Sequence, residues 1–183
     1  MKLFISILFC SILFFTSCKN DCENNKEEIK TIMRDWYKKK IIFPQNMEVL
    51  KYNPTTNNEN QTILKKYTIV HFFTADCDKC INELLHIKSF LEKNPSKNID
   101  YIFIASAPTK IYVSDAIKKI KFPYPIYYEK QYYSFKTINK LPLSDNIFDT
   151  MLLNKNQEVI LFGAFYDNEK AERLYSKTVE CNL

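Results

Sequence analysis

The sequence predicts an α/β fold in which helices flank a mixed central sheet, preceded by an N-terminal helical extension. Two observations predict it. Dense runs of β-branched and aromatic residues alternate with stretches whose apolar residues recur at helical spacing, and a hairpin pattern follows them. The chain has 183 residues, 46% of them hydrophobic, so it is long enough to bury a core and is expected to form one main globular domain.

The first residues differ from the rest of the chain. Met1 and Lys2 precede a largely apolar run over residues 3–15, which at about 13 residues is too short to span a membrane as a helix. This length is typical of a secretory signal peptide, predicted here over residues 1–17. The segment 15–18 resembles the bacterial lipobox, which implies that Cys18 is lipidated; ordinary cleavage and a soluble secreted protein are the alternative.

The remaining chain is divided by composition. Residues 18–26 are predicted to be the lipidated cysteine and a polar tether, residues 27–64 an N-terminal extension, and residues 65–183 the main domain. Within the extension, apolar positions on one stripe predict a helix over 27–39, and the Asn- and Thr-rich stretch 45–60 predicts a loop or an irregular strand.

The elements of the main domain follow from hydrophobic periodicity. A strand buried on both faces is predicted over 67–73, and a helix with apolar positions at Ile81, Leu84, Leu85 and Leu91 follows it. The later elements are predicted as a strand at 99–105, a helix at 114–121, a strand at 125–128, a hairpin of 150–153 with 158–164, and a helix at 168–178. The alternation implies parallel strands joined by crossover helices, with the hairpin making the sheet mixed.

Six cysteines have different expected fates. Cys10 is removed with the signal peptide and Cys18 carries lipid, so four remain in a compartment that permits disulfides. Cys77 and Cys80 are the obvious pair. Cys22 and Cys181 either join the two ends of the domain or stay unpaired, and the sequence leaves both possibilities open.

The Cys77-x-x-Cys80 motif sits where a strand hands over to a helix, and this position carries the chemistry. A helix N-terminus favours negative charge, so it lowers the pKa of the first thiol and makes Cys77 the nucleophile. Cys80, one turn further on, is placed to attack the mixed disulfide and resolve it. Lys79 favours the Cys77 thiolate, whereas Asp76 and Asp78 disfavour it.

Other chemistries have weaker signals. No second CxxC and no HxxxH accompany the motif, which disfavours zinc, and no histidine follows His86 to complete a Cu(I) site, although a soft-metal role stays an alternative. Thr74 and Cys77 share the Thr-x-x-Cys spacing of peroxiredoxins, but the proline that should precede them is Val70. Gly163 is the sole glycine, which excludes phosphate-binding glycine loops, and a net charge of +5 is scattered rather than patterned for nucleic acid.

Residues 69–80 resemble the strand and active-site turn of thioredoxin-like proteins, and residues 150–163 are similar to the later hairpin of that family. Among these proteins, the envelope-anchored TlpA-type and redoxin-like lipoproteins look closest. The resemblance implies a thioredoxin-like domain over 65–183 and thiol-disulfide exchange with partner proteins.

Two positions depart from the family pattern. A cis-proline that helps bind partner backbones is expected immediately before Thr150, but Asp149 stands there and the nearest proline is Pro142. Either an insertion moves the loop or the cis-proline is absent. Where thioredoxins place a buried acid that serves the second cysteine, this chain has His71, which is either a proton relay for Cys80 or a core histidine.

The sequence therefore predicts a thiol-disulfide oxidoreductase of a bacterial cell envelope, with Cys77, Cys80 and His71 as catalytic residues. Its partners are expected to be protein thiols and disulfides. It is expected to be a monomer held at a membrane by the lipid on Cys18, to need no metal or other cofactor, and to bind no nucleic acid. The alternative is a non-catalytic accessory or binding lipoprotein of the same fold.

Overall fold

A computed structural model describes residues 21–52, 65–96, 98–166 and 168–182. The predicted signal peptide, the predicted lipidation site Cys18 and residues 53–64 of the predicted extension lie outside these residues. Among the described residues, no helix is both long and apolar enough to cross a membrane.

The core of the protein is one six-stranded mixed sheet. Its strands lie in the order β1-β4-β3-β2-β5-β6. The pairs β2–β3 and β3–β4 are parallel, and the other three pairs are antiparallel. The strands are β1 (Glu48–Leu50), β2 (Tyr67–Thr74), β3 (Ile99–Ser106), β4 (Ile126–Glu129), β5 (Thr150–Asn154) and β6 (Val159–Phe162).

Strand β2 occupies the centre because both of its faces are apolar. Val70 and Phe72 point to one side of the sheet, while Ile69, His71 and Phe73 alternate to the other, and all five are buried. A strand buried on both sides must be covered on both faces. The crossover helix of the parallel β2–β3 pair covers one face, and the Phe135 ring, stacked on Phe72 with centroids 6.1 Å apart, helps to cover Phe72.

Within the described residues, five α-helices pack around the sheet. Successive right-handed crossovers in one direction put α2 and α3 on the same face, and the Lys88 ammonium in α2 donates to the Ile120 carbonyl at the end of α3 over 3.1 Å. The helices are α1 (residues 21–32), α2 (Asp78–Lys93), α3 (Lys110–Ile120), α4 (Ser134–Ile138) and α5 (Glu169–Glu180).

The N-terminal extension is built into the same core. Strand β1 pairs antiparallel with β4, and Ile29 and Ile41 are almost fully buried. The Asn139 side chain after α4 makes two hydrogen bonds of 2.8 Å with Ile42, accepting from its N–H and donating to its carbonyl. Together with the antiparallel bridge between Lys40 and Glu158, beside β6, these contacts attach the extension to both edges of the sheet.

The first helix differs from its prediction at both ends. It already includes residues 21–26, which were predicted to be tether, and it ends at 32 rather than 39. It ends early because the chain turns to pair with β6: Lys38 N–H donates to the Val159 carbonyl, and Val159 N–H donates to the Lys39 carbonyl. Lys38 takes a left-handed conformation at this turn, with φ of 64°.

The other predicted elements are present, with shifts of a few residues at their ends. Helix α3 begins at Lys110, four residues before its predicted start. The prediction missed this first turn because Ile111 and Tyr112 are apolar but exposed, which obscures the spacing of the buried residues. The face of α2 is also corrected: Ile87 is buried, while Leu85 is 41% exposed. The short helix α4 and a single 3₁₀ turn at Asn146–Asp149 were not predicted.

A disulfide joins the two ends of the described chain. Cys22 in α1 is bonded to Cys181, the residue that follows α5, with their Cα atoms 5.4 Å apart and a sequence separation of 159. The structure therefore selects the pairing that the sequence left open.

Candidate active site

The dithiol lies at the turn between β2 and α2. Cys77 is the N-cap of α2, with extended backbone angles, and its sulfur accepts a hydrogen bond from the Cys80 N–H at 3.2 Å. The two cysteines are disulfide-bonded, with Cα atoms 5.2 Å apart, and both are half-buried. The Cys77 sulfur thus lies at the N-terminus of a 16-residue helix, where the free backbone N–H groups and the helix dipole stabilise a thiolate.

Cys80 has its own polar neighbour. The Thr74 hydroxyl at the end of β2 lies 3.4 Å from the Cys80 sulfur, within hydrogen-bond range for sulfur. When Cys80 is reduced, this hydroxyl is placed to donate to its thiolate. The two sulfurs are therefore supported by different groups: the helix N-terminus at Cys77 and a threonine hydroxyl at Cys80.

His71 is placed in the core, on the strand that leads to the dithiol. Its Nδ1 lies 2.9 Å from the Thr150 hydroxyl of β5, and its Nε2 has no partner among the described residues. Complete burial lowers the pKa of His71 to about 3, so the imidazole is neutral at neutral pH. These contacts hold its ring in place, and the relay role stays a prediction.

At the position where a cis-proline was expected, the structure has an ion pair instead. No cis peptide bond occurs in the described parts of the chain, and Asp149 precedes Thr150 in a trans backbone. The side chain of Lys136 in α4 is only 2% exposed, and its ammonium lies 2.5 Å from the Asp149 carboxylate. It also donates to the carbonyls of Pro142 and Leu143. A buried lysine thus binds three points of the segment that leads to β5.

Burial changes the pKa of Asp149, the acid of the Lys136–Asp149 pair. Desolvation raises the pKa of Asp149, and the Lys136 ammonium opposes that rise. The negative charge of Glu83, in the first turns of α2, adds to the rise. Asp149 is therefore coupled to charged groups on both α4 and the helix that carries the dithiol.

A groove of about 860 Å³ runs beside the dithiol helix. Tyr166 donates a hydrogen bond across it to the Glu83 carboxylate. Its lining includes Lys79, Asn82 and His86 of α2 on one side and Ile147 and Gly163 on the other. The groove places polar and apolar groups of two elements next to the CxxC turn.

Metal ligands do not gather at this site or elsewhere in the described residues, where no three His, Cys, Asp or Glu side chains form a cluster that could hold a metal ion. His86 is exposed on α2, and His71 faces the core.

Comparisons with known proteins identify the architecture. No family model and no curated protein matches the sequence. A thioredoxin-like protein solved in its oxidised form is similar over 79% of this chain and 97% of its own, with a TM-score of 0.55 and 13% identity. The chain has the thioredoxin-like fold. The predicted fold class is thereby confirmed.

Two further neighbours share this thioredoxin-like fold. A candidate thiol-disulfide oxidoreductase from Bacteroides vulgatus has a TM-score of 0.53 and 18% identity, over 64% of this chain and 76% of that one. The C-terminal domain of another, from Bacteroides thetaiotaomicron, has a TM-score of 0.53 and 13% identity, over 67% and 83%. At these identities the likeness establishes the thioredoxin-like fold, and the activity must be argued from the site.

The dithiol was predictable from the sequence, but the residues of later segments that contact Asp76, Asp149 and Glu83 were not. Tyr132, Lys136 and Tyr166 come from segments after β4 and β6, where no periodic pattern marked them. For Lys136 the sequence holds one signal: the residue directly follows Phe135, an aromatic residue that is buried in the core. Tyrosines are numerous in this chain, so composition alone could not single out Tyr132 or Tyr166.

Proposed function

We propose that this protein is a thiol-disulfide oxidoreductase that exchanges electrons with protein partners, with Cys77 as the attacking and Cys80 as the resolving cysteine. The observation that carries the proposal is the position of Cys77 as the N-cap of α2, hydrogen-bonded to the N–H of the cysteine with which it forms a disulfide. A structural disulfide needs no such placement, whereas a nucleophilic thiolate gains from it.

In the reducing direction, the Cys77 thiolate attacks one sulfur of a partner disulfide, and the partner's S–S bond breaks. One partner thiolate leaves, and Cys77 is joined to the other sulfur. The Cys80 thiolate then attacks the Cys77 sulfur and releases the second partner thiolate. Two electrons pass to the partner, and the protons lost by Cys77 and Cys80 protonate its two thiols. The oxidising direction is the reverse.

Proton removal from Cys80 is the step for which His71 is proposed. An imidazole with a pKa of about 3 is a weak base, so His71 would hold the proton only briefly. Within the described residues its hydrogen bond is to Thr150, and what supports the relay is its place on the strand that leads to the dithiol. If His71 acts in this way, His71→Ala changes the pH dependence of dithiol oxidation; an unchanged profile would exclude the relay.

We propose that the exchange takes place at a bacterial membrane surface, with Cys18 as the lipidated residue and residues 1–17 as the signal peptide that is removed. The support is the apolar run and the lipobox-like segment of the sequence. Metabolic labelling with a radioactive fatty acid tests this location. Label that disappears in Cys18→Ser supports the anchor, and an unlabelled wild type contradicts it.

The test of the exchange function is a redox titration. The protein is equilibrated with graded thiol-disulfide buffers, and the Cys77 and Cys80 thiols are counted by alkylation and mass. A reversible two-electron transition between roughly −270 and −120 mV is expected of an exchange catalyst. A disulfide with a reduction potential below about −300 mV would contradict the exchange function and support the binding or accessory role. The absence of a proline before Thr150 favours that alternative role.

A further inference from the structure

Tyr132 reaches the dithiol turn from a distant part of the chain. Its hydroxyl donates to the Asp76 carboxylate, 3.3 Å from one oxygen and 3.5 Å from the other, across 56 residues of sequence. Asp76 immediately precedes Cys77. A phenol from the segment after β4 therefore binds the acid that lies next in sequence to the proposed nucleophile.

The segment that carries Tyr132 is held in place. The Tyr132 ring packs edge-on against Tyr133 with centroids 4.4 Å apart. Tyr133 N–H donates to the Ser106 hydroxyl at 2.9 Å, and the Tyr133 ring packs against Phe72. Tyr133 has a φ of 58°, a left-handed conformation that costs a non-glycine residue about 1 kcal/mol or more. Core contacts thus hold a strained turn that directs Tyr132 toward Asp76.

The hydroxyl of Tyr132 remains a donor across the useful pH range. Although Tyr132 is 44% exposed, partial desolvation by its neighbours raises its pKa, and the contacts with Tyr133 and with the Asp76 carboxylate raise the pKa further. Around Cys77, the motif itself contributes Asp76 and Asp78 as negative charges and Lys79 as a positive one. A hydrogen bond from Tyr132 draws part of the Asp76 charge away from the thiolate, which the two acids otherwise disfavour.

We propose that Tyr132 is a positioning residue for the exchange reaction: its hydroxyl holds and partly neutralises the Asp76 carboxylate, and so keeps the reduced Cys77 in its reactive thiolate form. This inference rests on the proposed exchange function and assigns to it a residue outside the CxxC turn. Tyr132 acts through Asp76, so its effect disappears when that carboxylate is removed.

The test is a double-mutant cycle on the reduced, full-length chain, made of wild type, Tyr132→Phe, Asp76→Asn and the double variant. The rate of Cys77 alkylation by iodoacetamide is measured from pH 5 to 9, which reports the thiolate fraction. Tyr132→Phe is expected to slow alkylation at pH 6 about threefold, as half a pK unit does, and to move the profile to higher pH. Tyr112→Phe, at an exposed tyrosine of α3, is the matched control with no expected change.

The cycle separates the possible outcomes. Asp76→Asn is expected to speed alkylation, and adding Tyr132→Phe to it is expected to change nothing further. Equal slowing by Tyr132→Phe in both backgrounds, or no slowing in either, overturns the inference. Failure of the exchange function is seen separately, because a wild type that alkylates normally but never exchanges with glutathione contradicts the function and leaves the Tyr132–Asp76 coupling measured in its own right.

Discussion

The two disulfides of this protein differ in almost every physical respect. Cys22–Cys181 joins positions with a sequence separation of 159, whereas Cys77–Cys80 joins positions with a separation of 3. On chain entropy alone, the first stabilises the folded state by roughly 5 kcal/mol and the second by about 1.6 kcal/mol. The short disulfide contributes little to stability yet sits at a helix N-terminus, so the first bond mainly stabilises the fold and the second is placed for the proposed exchange reaction.

The largest expected effect tests the chemical half of this comparison. Cys77→Ser removes the proposed nucleophile and is expected to lower the rate of exchange with a disulfide substrate by at least about a thousandfold. Stopped-flow measurement of thiol release checks this. Cys22→Ser with Cys181→Ser is the matched control, since it also removes one disulfide. Comparable losses in both proteins would break the division of roles.

The second prediction tests the structural half. Replacing Cys22 and Cys181 by serine is expected to lower the free energy of unfolding by about 3–5 kcal/mol, because the unfolded chain regains the entropy of a long open loop. Urea unfolding followed by circular dichroism measures it. Replacing Cys77 and Cys80 by serine is expected to cost about 2 kcal/mol or less. The prediction fails if the short pair proves the more stabilising one.

The third prediction concerns acid sensitivity near the dithiol. An unfolded histidine takes up a proton below pH 6.5, but native His71 does so only near pH 3. Stability is therefore lost as pH falls through this window, by at most about 1.4 kcal/mol per unit. From pH 7 to 5 we expect a loss of up to about 2 kcal/mol in wild type and less in His71→Gln.

The control for this experiment is the second histidine of the chain. His86 is exposed on α2, and His86→Gln is expected to keep the wild-type pH dependence. Because the slope of stability against pH is compared, and not its absolute level, a destabilised His71→Gln remains informative. A slope in that variant equal to the wild-type slope would show that burial of His71 is not the cause.

The smallest expected effect distinguishes the two sulfurs of the dithiol. Thr74→Val removes the hydroxyl beside Cys80 and is expected to slow resolution of a mixed disulfide about threefold to tenfold, since a hydrogen bond contributes about 0.5–1.5 kcal/mol. Thr68→Val, on the same strand, is the control, and Thr74→Ser is expected to restore the rate. Quenched-flow trapping of the Cys77 mixed disulfide measures it; an unchanged rate would remove Thr74 from the mechanism.

Most of the fold could be predicted because its elements are strongly patterned. The central strand is an unbroken run of β-branched and aromatic residues, and α2 repeats apolar residues along one face. The end of α1 could not be predicted, since it is set by two hydrogen bonds to a residue far away in sequence: Lys38 N–H donates to the Val159 carbonyl, and Val159 N–H donates to the Lys39 carbonyl. Helix α4, at five residues, is too short to show a period.

The candidate site divides along the same line. Cys77 and Cys80 were predictable because their spacing and their place after a strand are local properties. The Lys136–Asp149 pair and the Tyr132–Asp76 bond join segments far apart in the chain, and no local pattern encodes them. The position of His71 on the strand that leads to the dithiol was also predictable. The sequence could not decide between a proton relay and a core histidine, because the lowered pKa of His71 follows from its burial.

The bond between Cys22 and Cys181 has a mechanical consequence. Since these residues are held with Cα atoms 5.4 Å apart, a pull applied at residue 22 against residue 181 passes through the disulfide and not through the hydrogen bonds of the sheet. Anything attached at one of these residues also leaves the molecule at the same corner as the other. A load on that corner would therefore leave the dithiol turn, which lies between the two in sequence, unstretched.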